Sequence, residues 1–242
     1  MITIPIIYTD DDIIVINKPP GISVHGGATV GEETVADILL KDFPELENVG
    51  EDPRRPGIVH RLDKNTSGVM VIARTKTAFS VLKNAFKERK VEKIYIALVC
   101  GVLKKPHGRI DAPIGRLVTN PLKRGVEDGK RRIRGARRAI TEYRVLGGDT
   151  PYSVVELKPQ TGRMHQLRVH LSSMHHPIAC DVVYGGKQVC CPDGAKRQLL
   201  HAQSIAFSMR EGQRLQFEAE LPEYMRFMVQ RILEKPSQKE NE

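Results

Sequence analysis

The sequence predicts an α+β fold, a mixed and largely antiparallel central sheet with helices flanking it. Two observations carry that expectation. Short runs rich in β-branched and aromatic residues recur along the chain, and the first two are separated by no more than a turn, as in a hairpin. Between such runs lie segments whose apolar residues return at three- and four-residue spacing, which is how a helix buries one face. Strands and helices interspersed in this way, with no internal repeat, point to helices packed on a sheet.

The elements follow in order. Ile6 to Tyr8 and Ile13 to Asn17 are the hairpin strands, joined through Asp10-Asp11-Asp12. Asn17-Lys18-Pro19-Pro20-Gly21 halts the second strand, because two prolines remove ladder donors and Gly21 tolerates unusual φ. Thr34-Val35-Ala36-Asp37 has the form of a capping box opening a helix to about Lys41, stopped by Phe43-Pro44. Residues Glu45 to Pro56 are polar, acidic and proline-bearing, as a surface loop would be. Gly57 to His60 and Val69 to Ala73 are expected as buried strands on either side of the polar segment Arg61 to Gly68. A helix over Thr77 to Lys90 follows from Ala78, Val81, Leu82, Ala85 and Phe86. Lys93 to Val99 is apolar on both faces and therefore a central strand. Thr141 to Val145 and Ser153 to Lys158 return to strand patterning. Thr161-Gly162-Arg163 opens a helix with the stripe Leu167, Leu171 and Met174. Leu199 to Phe207 and Leu215 to Leu221 are strands, Tyr224 to Leu233 a closing helix, and Pro236 begins a polar tail.

With 242 residues, 28% charged and 40% hydrophobic, the chain has the length and composition of a folded protein with a substantial core. Its first residues lack a secretory pattern, and no apolar run is long enough to span a bilayer, so the expectation is a soluble cytoplasmic monomer. Cys100, Cys180, Cys190 and Cys191 show no C-x-x-C spacing, and reduced thiols are expected. The net charge of +9 favours a polyanionic partner. It is concentrated between Pro106 and Ala139, where Arg116, Lys123, Arg124, Lys130, Arg131, Arg132, Arg134, Arg137 and Arg138 stand with few large apolar residues. The domain of residues 1–235 is therefore expected to carry a basic, mobile arm at about 106–139. A solvated linker is the alternative, but the preference for arginine suits phosphate contacts.

His165, His170, His175, His176 and His201 lack the H-E-x-x-H spacing, and there is no paired cysteine knuckle, so no metal is expected. The polar segment around Asp63 is more informative. Arg61 and Lys64 stand beside Asp63 in sequence and would keep its carboxylate ionised and nucleophilic. By itself, an Asp in a polar loop reads equally well as a surface ion pair or an Asx-turn.

The run His60-Arg61-Leu62-Asp63-Lys64-Asn65-Thr66-Ser67-Gly68 resembles the H-R-L-D-x-x-T-S-G signature of the RluA family of pseudouridine synthases. Other pieces agree in order. Asn17-Lys18-Pro19-Pro20-Gly21 with Val24-His25 resembles the family's opening motif, and Lys93-Ile94-Tyr95-Ile96-Ala97 its tyrosine strand. Thr161 to His170 resembles its arginine block, and Leu200-His201-Ala202 a shorter element. The resemblance implies the pseudouridine synthase fold and conversion of uridine to pseudouridine in ribosomal or transfer RNA, with no cofactor. It implies Asp63 as nucleophile, Arg163 as its ion-pair partner, and Tyr95 stacked under the base as proton relay. Arg61 would fill the gap left by an extruded nucleotide. With it, His60, Thr66, Arg116, Arg131, Arg132, Arg134 and Arg168 are the expected substrate-binding residues, Arg168 supporting a loop or phosphate. The chain is similar to the RluD-like enzymes of large-subunit ribosomal RNA; with the expected catalytic hairpin at its start, the S4 domain those usually carry is not expected here. His175 and Cys180 stand where the family tends to have glycine.

Overall fold

A computed structural model describes residues 2–26, 31–186 and 189–234; the expected polar tail from Pro236 lies outside them. The chain divides into two compact units, Met1–Lys93 with His201–Glu220, and Ile94–Leu200 with Leu221–Glu242.

In the first unit the hairpin forms as its sequence demands. β1 (Ile6–Thr9) pairs antiparallel with β2 (Ile13–Lys18), and the Asp10 carboxylate caps the turn by accepting from the Asp12 and Ile13 N–H groups. β2 pairs antiparallel with β3 (Ser67–Ala73), whose residues are all buried. β3 in turn runs parallel to β11 (Leu200–Arg210) through Ser67↔His201 and Gly68↔Ala202, and β12 (Gln213–Glu218) pairs antiparallel with β11. The sheet is thus mixed and largely antiparallel, as expected. Helix α1 (Val35–Asp42) begins with the predicted capping box: Asp37 N–H donates to Thr34 Oγ1, and Thr34 N–H to the Asp37 carboxylate. Helix α2 (Lys76–Lys87) packs on β3 and is capped by Thr75, whose hydroxyl accepts from Ala78 N–H.

Two expectations change here. The loop expected over Glu45–Pro56 opens with a 3-10 helix, Pro44–Asn48. Gly57–His60 is not a strand; it makes a single bridge, Ile58↔Ile72. Beyond that bridge Val71 N–H donates to the His60 ring and not to a backbone carbonyl, so the ladder does not continue.

In the second unit, β4 (Glu92–Cys100) is the doubly covered strand the sequence implied. Ala97 and Val99 join Leu167 and Leu171 of α3 (Gln166–Ser173) in one core, while Ile96 and Leu98 join Met225, Val229 and Ile232 of α4 (Glu223–Glu234) in another. β4 pairs antiparallel with β10 (Tyr152–Pro159), β10 with β9 (Ile140–Asp149), and β9 with β5 (His107–Asp111). The expected mobile arm is ordered: β5 extends that sheet, and β6 (Ile114–Leu117) is flanked by β7 (Arg124–Val126) and β8 (Ile133–Arg137) in a three-stranded sheet. Gly115 and Gly125 permit it, because a Cβ at either would collide with the Ile133 side chain.

The thiols also differ from expectation. Cys100 is bonded to Cys190, and Cys180 to Cys191. Spacing along the chain concealed this, since Cys100 arrives on β4 from 90 residues away.

Gly68 is a position where the fold of the first unit tolerates no side chain. Its φ is 119°, and a Cβ would overlap the backbone of Ala202 on the parallel partner strand. We expect Gly68→Ala to lower the stability of the protein by at least ~2 kcal/mol, read as a reduced urea midpoint.

Candidate active site

Asp63 begins a tight turn between Leu62, which is buried, and β3. Thr66 N–H donates to the Asp63 carbonyl at 3.0 Å, closing the turn Asp63-Lys64-Asn65-Thr66. The carbonyl of Lys64, at its centre, accepts twice: from Gly21 N–H at 2.8 Å and from the Lys18 ammonium at 3.1 Å. Lys18 is completely buried, and its ammonium also donates to the Pro19 and Ile22 carbonyls at 2.8 and 3.0 Å. The Asn17-Lys18-Pro19-Pro20-Gly21 segment is therefore the structural seat of the Asp63 turn. Gly21 reaches it with φ at 92°, a conformation glycine holds without strain.

The turn is held on both sides. After it, Ser67 Oγ lies 2.9 Å from His201 Nδ1, and His201 Nε2 lies 3.0 Å from the Ala219 carbonyl. A carbonyl only accepts, so Nε2 carries the proton and Nδ1 accepts from the serine hydroxyl. Before it, His60 Nε2 accepts from Val71 N–H at 3.1 Å while the ring stacks on Phe86 at 4.6 Å. Burial, helped by the nearby charge of Lys93, pushes the His60 imidazole down to about 3, and burial pushes the Lys93 amine down to about 8. Thr66 is buried beneath the turn. Arg61 is exposed, its Nη1 3.4 Å from His25 Nε2. Of the four loop residues expected at the site, Asp63 is half-buried, Arg61 faces outward, and His60 and Thr66 are built into the support.

In the second unit, Tyr95 sits on β4 opposite Leu157 of β10, half-buried and packed against the core that holds Ala97 and Val99. Arg163 lies in the turn before α3 and not at the helix start the sequence suggested. Its Nε donates to the Arg138 carbonyl, and its N–H donates to Gln166 Oε1. Gln166 is the organiser of this turn. Its Oε1 also accepts from the Thr161 hydroxyl, and its Nε2 donates to the Ile140 carbonyl and Thr141 Oγ1. Thr161 Oγ1 accepts from Ile140 N–H, and the Thr141 hydroxyl lies 2.9 Å from His170 Nδ1. Every polar atom in this buried cluster has a partner, which fixes the backbone at Arg163.

Arg168 is placed inside the protein, 6% exposed, and not on an RNA-facing surface. Its guanidinium forks onto Asp181, with Nε–Oδ2 2.7 Å and Nη2–Oδ1 2.9 Å, and lies 4.9 Å from the centre of the Tyr184 ring. Of the two roles expected for it, the geometry suits support of a loop. Arg116, Arg131, Arg132 and Arg134 are all exposed. Register brings two of them together with Arg124, which the sequence offered only as one of the segment's cations. Arg116 of β6 pairs with Arg124 of β7 on one side and Arg134 of β8 on the other, giving three guanidinium-bearing residues in one row of the small sheet. Like charges directly across strands are destabilising without an anion between them. Among the described residues no group of His, Cys, Asp or Glu is arranged to hold a metal ion, and no helix is long and apolar enough to cross a membrane.

Residues 12–173 match the family model for RNA pseudouridylate synthases. The chain belongs to that family. It is 38% identical over 232 residues to the ribosomal large subunit pseudouridine synthase D of Borreliella burgdorferi, covering 94% of this chain and 68% of the relative. It is 40% identical over 226 residues to the protein of the same name from Neisseria meningitidis, covering 90% of this chain and 58% of the relative. Among solved structures it is similar to human RNA pseudouridylate synthase domain containing 4, with TM-score 0.74 and 29% identity over 95% of this chain and 92% of that one. The family's members are isomerases acting on RNA, so the α+β fold and the reaction class expected from the motifs both stand. His175 and Cys180, at the two positions where the resemblance implied glycine, hold φ at 65° and 61°, a region that side-chain-bearing residues enter rarely.

Histidine burial makes stability pH-dependent. In the unfolded chain His60 takes a proton near its ordinary 6.5, whereas in the folded protein it resists until about 3. The unfolded state therefore binds the proton first, and stability falls as pH drops through that window. His25, His170 and His201 are shifted in the same direction by burial. We expect urea midpoints to decline steadily from pH 6.5 to 4. A His60→Gln variant, whose amide oxygen can still accept from Val71 N–H, should show a visibly shallower decline.

Proposed function

We propose that this chain isomerises uridine to pseudouridine in ribosomal RNA, with Asp63 as the nucleophilic carboxylate, and that it works without a cofactor as a cytoplasmic monomer. The observation that carries the reading is the Asp63 turn, which lies in the family signature and is fixed at its central carbonyl by Lys18 and Gly21. The chain spans 68% and 58% of the Borreliella and Neisseria ribosomal RNA synthases, and the substrate in their names supports ribosomal over transfer RNA.

The chemistry suits a single carboxylate. Hydrolysis of a glycosidic bond needs a second carboxyl group to protonate the departing group, whereas here uracil is detached and rejoined without leaving. Tyr95 supplies a ring for stacking on the base and a hydroxyl for moving the carbon-5 proton. Arg163 supplies a guanidinium whose Nε donates to the Arg138 carbonyl and whose backbone Gln166 holds. Arg61, exposed beside the turn, is placed to enter the RNA stack when the nucleotide is extruded. His60, Thr66 and Arg168 act as supports, not as RNA contacts. The row Arg124–Arg116–Arg134, with Arg131 and Arg132 on the same small sheet's approach to β8, supplies the phosphate-binding surface.

The direct experiment incubates the protein with separate ribosomal and transfer RNA transcripts and maps pseudouridine at single-nucleotide resolution. Modification of transfer RNA alone would reverse the choice of substrate. Asp63→Asn keeps the side chain's size and loses its charge, so turnover should fall by roughly 10³-fold or more with RNA affinity nearly unchanged. Substantial turnover by protein free of wild-type enzyme would remove Asp63 from the mechanism.

The arginine row makes a separate prediction. Replacing Arg116, Arg124 and Arg134 together by Gln should weaken RNA binding and flatten its dependence on salt. Each phosphate that the protein ceases to neutralise should lower the log–log slope by roughly 0.7 for single-stranded and 0.9 for duplex segments. An unchanged slope would mean that the sheet faces away from RNA.

A further inference from the structure

We propose that Cys180 and Cys191 form a thiol–disulfide exchange site that sets how firmly the Asp181 anchor, and with it the arginine-bearing small sheet, is held. This rests on the RNA-binding reading of that sheet.

Three chain segments meet at the adjacent residues Cys190 and Cys191. Cys190 is bonded to Cys100 at the end of β4, and Cys191 to Cys180. Backbone bonds complete the junction: Cys180 N–H donates to the Cys190 carbonyl at 2.7 Å, and Cys190 N–H points to Cys100 Sγ at 3.1 Å. The two links differ in access. Cys100 and Cys180 are buried and Cys190 is half-buried, but Cys191 is exposed. An attacking thiolate needs an accessible sulfur, and Cys191 Sγ is the one that offers it.

The exposed link lies one bond from the most highly connected carboxylate of the second unit. Cys180 is followed directly by Asp181, which is 1% exposed. Its carboxylate accepts the Arg168 fork and the N–H groups of Val183 and Tyr184. From there the contacts run outward. The Tyr184 hydroxyl lies 2.7 Å from His165 Nδ1 and accepts from Arg124 N–H at 3.1 Å, and Lys123 Nζ donates to the Val183 carbonyl. Residues 181–184 therefore join α3 to β7, the strand that contributes Arg124 to the arginine row. Cys180 holds this junction in left-handed backbone, at φ 61°, a conformation in which a glycine would be unstrained. With the link closed, the chain has no freedom to relax that conformation. With it open, Cys180 can leave the left-handed region and carry Asp181 with it.

The exchange balances with a dithiol as the named co-reactant. One thiolate of the dithiol attacks Cys191 Sγ, forming a mixed disulfide and releasing Cys180 as a thiolate, which takes a proton. The dithiol's second sulfur then displaces Cys191 as a thiol. The protein gains two electrons and two protons, and the dithiol leaves as its own disulfide. The expectation of reduced thiols in a cytoplasmic protein then describes the open state, and the structure describes the closed one.

The test uses the full chain, oxidised in air or treated with a mild dithiol reductant, with thiols alkylated and the peptides mapped. The expected result is no alkylation before reduction and alkylation of Cys180 and Cys191 first on reduction. The thermal midpoint should fall by roughly 5 °C or more. RNA affinity should fall roughly fivefold or more and return on reoxidation. The double variant Cys180→Gly, Cys191→Ser should show none of these responses to the reductant. Four alkylated thiols in the air-oxidised protein would overturn the proposal, and so would a stoichiometric zinc ion released from the cysteines. A midpoint that falls while RNA affinity and its salt slope stay fixed would also overturn it, because the link would then be a staple without influence on the sheet. Thiol mapping and melting need no RNA. Failure of both forms to bind RNA would strike the functional reading instead.

Discussion

The Lys18 ammonium is the interaction on which the Asp63 turn depends. A buried positive charge is costly unless its hydrogen bonds are made, and Lys18 makes them to carbonyls of Pro19, Ile22 and Lys64. Two of those carbonyls belong to the segment that follows β2, and the third to the turn itself. The charge thus converts two loops, neither stabilised by a ladder of its own, into one rigid object. The supports around it are of a different kind. His60 and His201 are neutral imidazoles that hold the approach to the turn and the strand beyond it through single, directional bonds. A strong central bond with weaker directional ones at the edges fixes the backbone of the turn that carries Asp63.

The second unit solves the same problem with neutral groups. Gln166, Thr161, Thr141 and His170 form a closed set of hydrogen bonds around the turn that carries Arg163. A carboxamide suits this place because it donates and accepts at once, so one side chain can satisfy both strand and turn. Arg168 and Asp181, the charged pair nearby, act further back, joining α3 to the segment beyond Cys180.

Much of this is legible in the sequence, and for identifiable reasons. The α1 capping box, the hairpin and the two-faced β4 are local patterns, and local patterns survive without knowledge of the partner. The Asp63 loop is legible because five short motifs stand in the right order. What escapes depends on register or distance. Arg124 reads as one cation among many until strand pairing sets it beside Arg116. Arg168 reads as a surface cation until Asp181, thirteen residues on, is seen to receive it. Gly57–His60 has a strand's composition, but its ladder stops at one bridge, beyond which the His60 ring receives Val71 N–H. Spacing is a poor guide to the cysteines, because their partners come from different elements.

The row of arginines on the small sheet has a consequence for how its charges should be counted. Neighbouring strands lie about 4.8 Å apart, so three side chains in one register row begin within roughly 10 Å of each other. That is the screening length of a solution at about 0.1 M salt, so the interaction between charges at this distance is weakened but not abolished. Arg116 and Arg134 are exposed, whereas Arg124 is half-buried and its guanidinium donates to the Pro121 and Lys123 carbonyls, so the three cations are partly coupled and unequal in their freedom. Each guanidinium adds to the attraction that the others exert on a shared anion. Removing one takes away its own repulsion with the other two, so part of that loss is offset. The sheet's own cohesion is tied to the same quantity: whatever polyanion lies along the row also binds its three strands together.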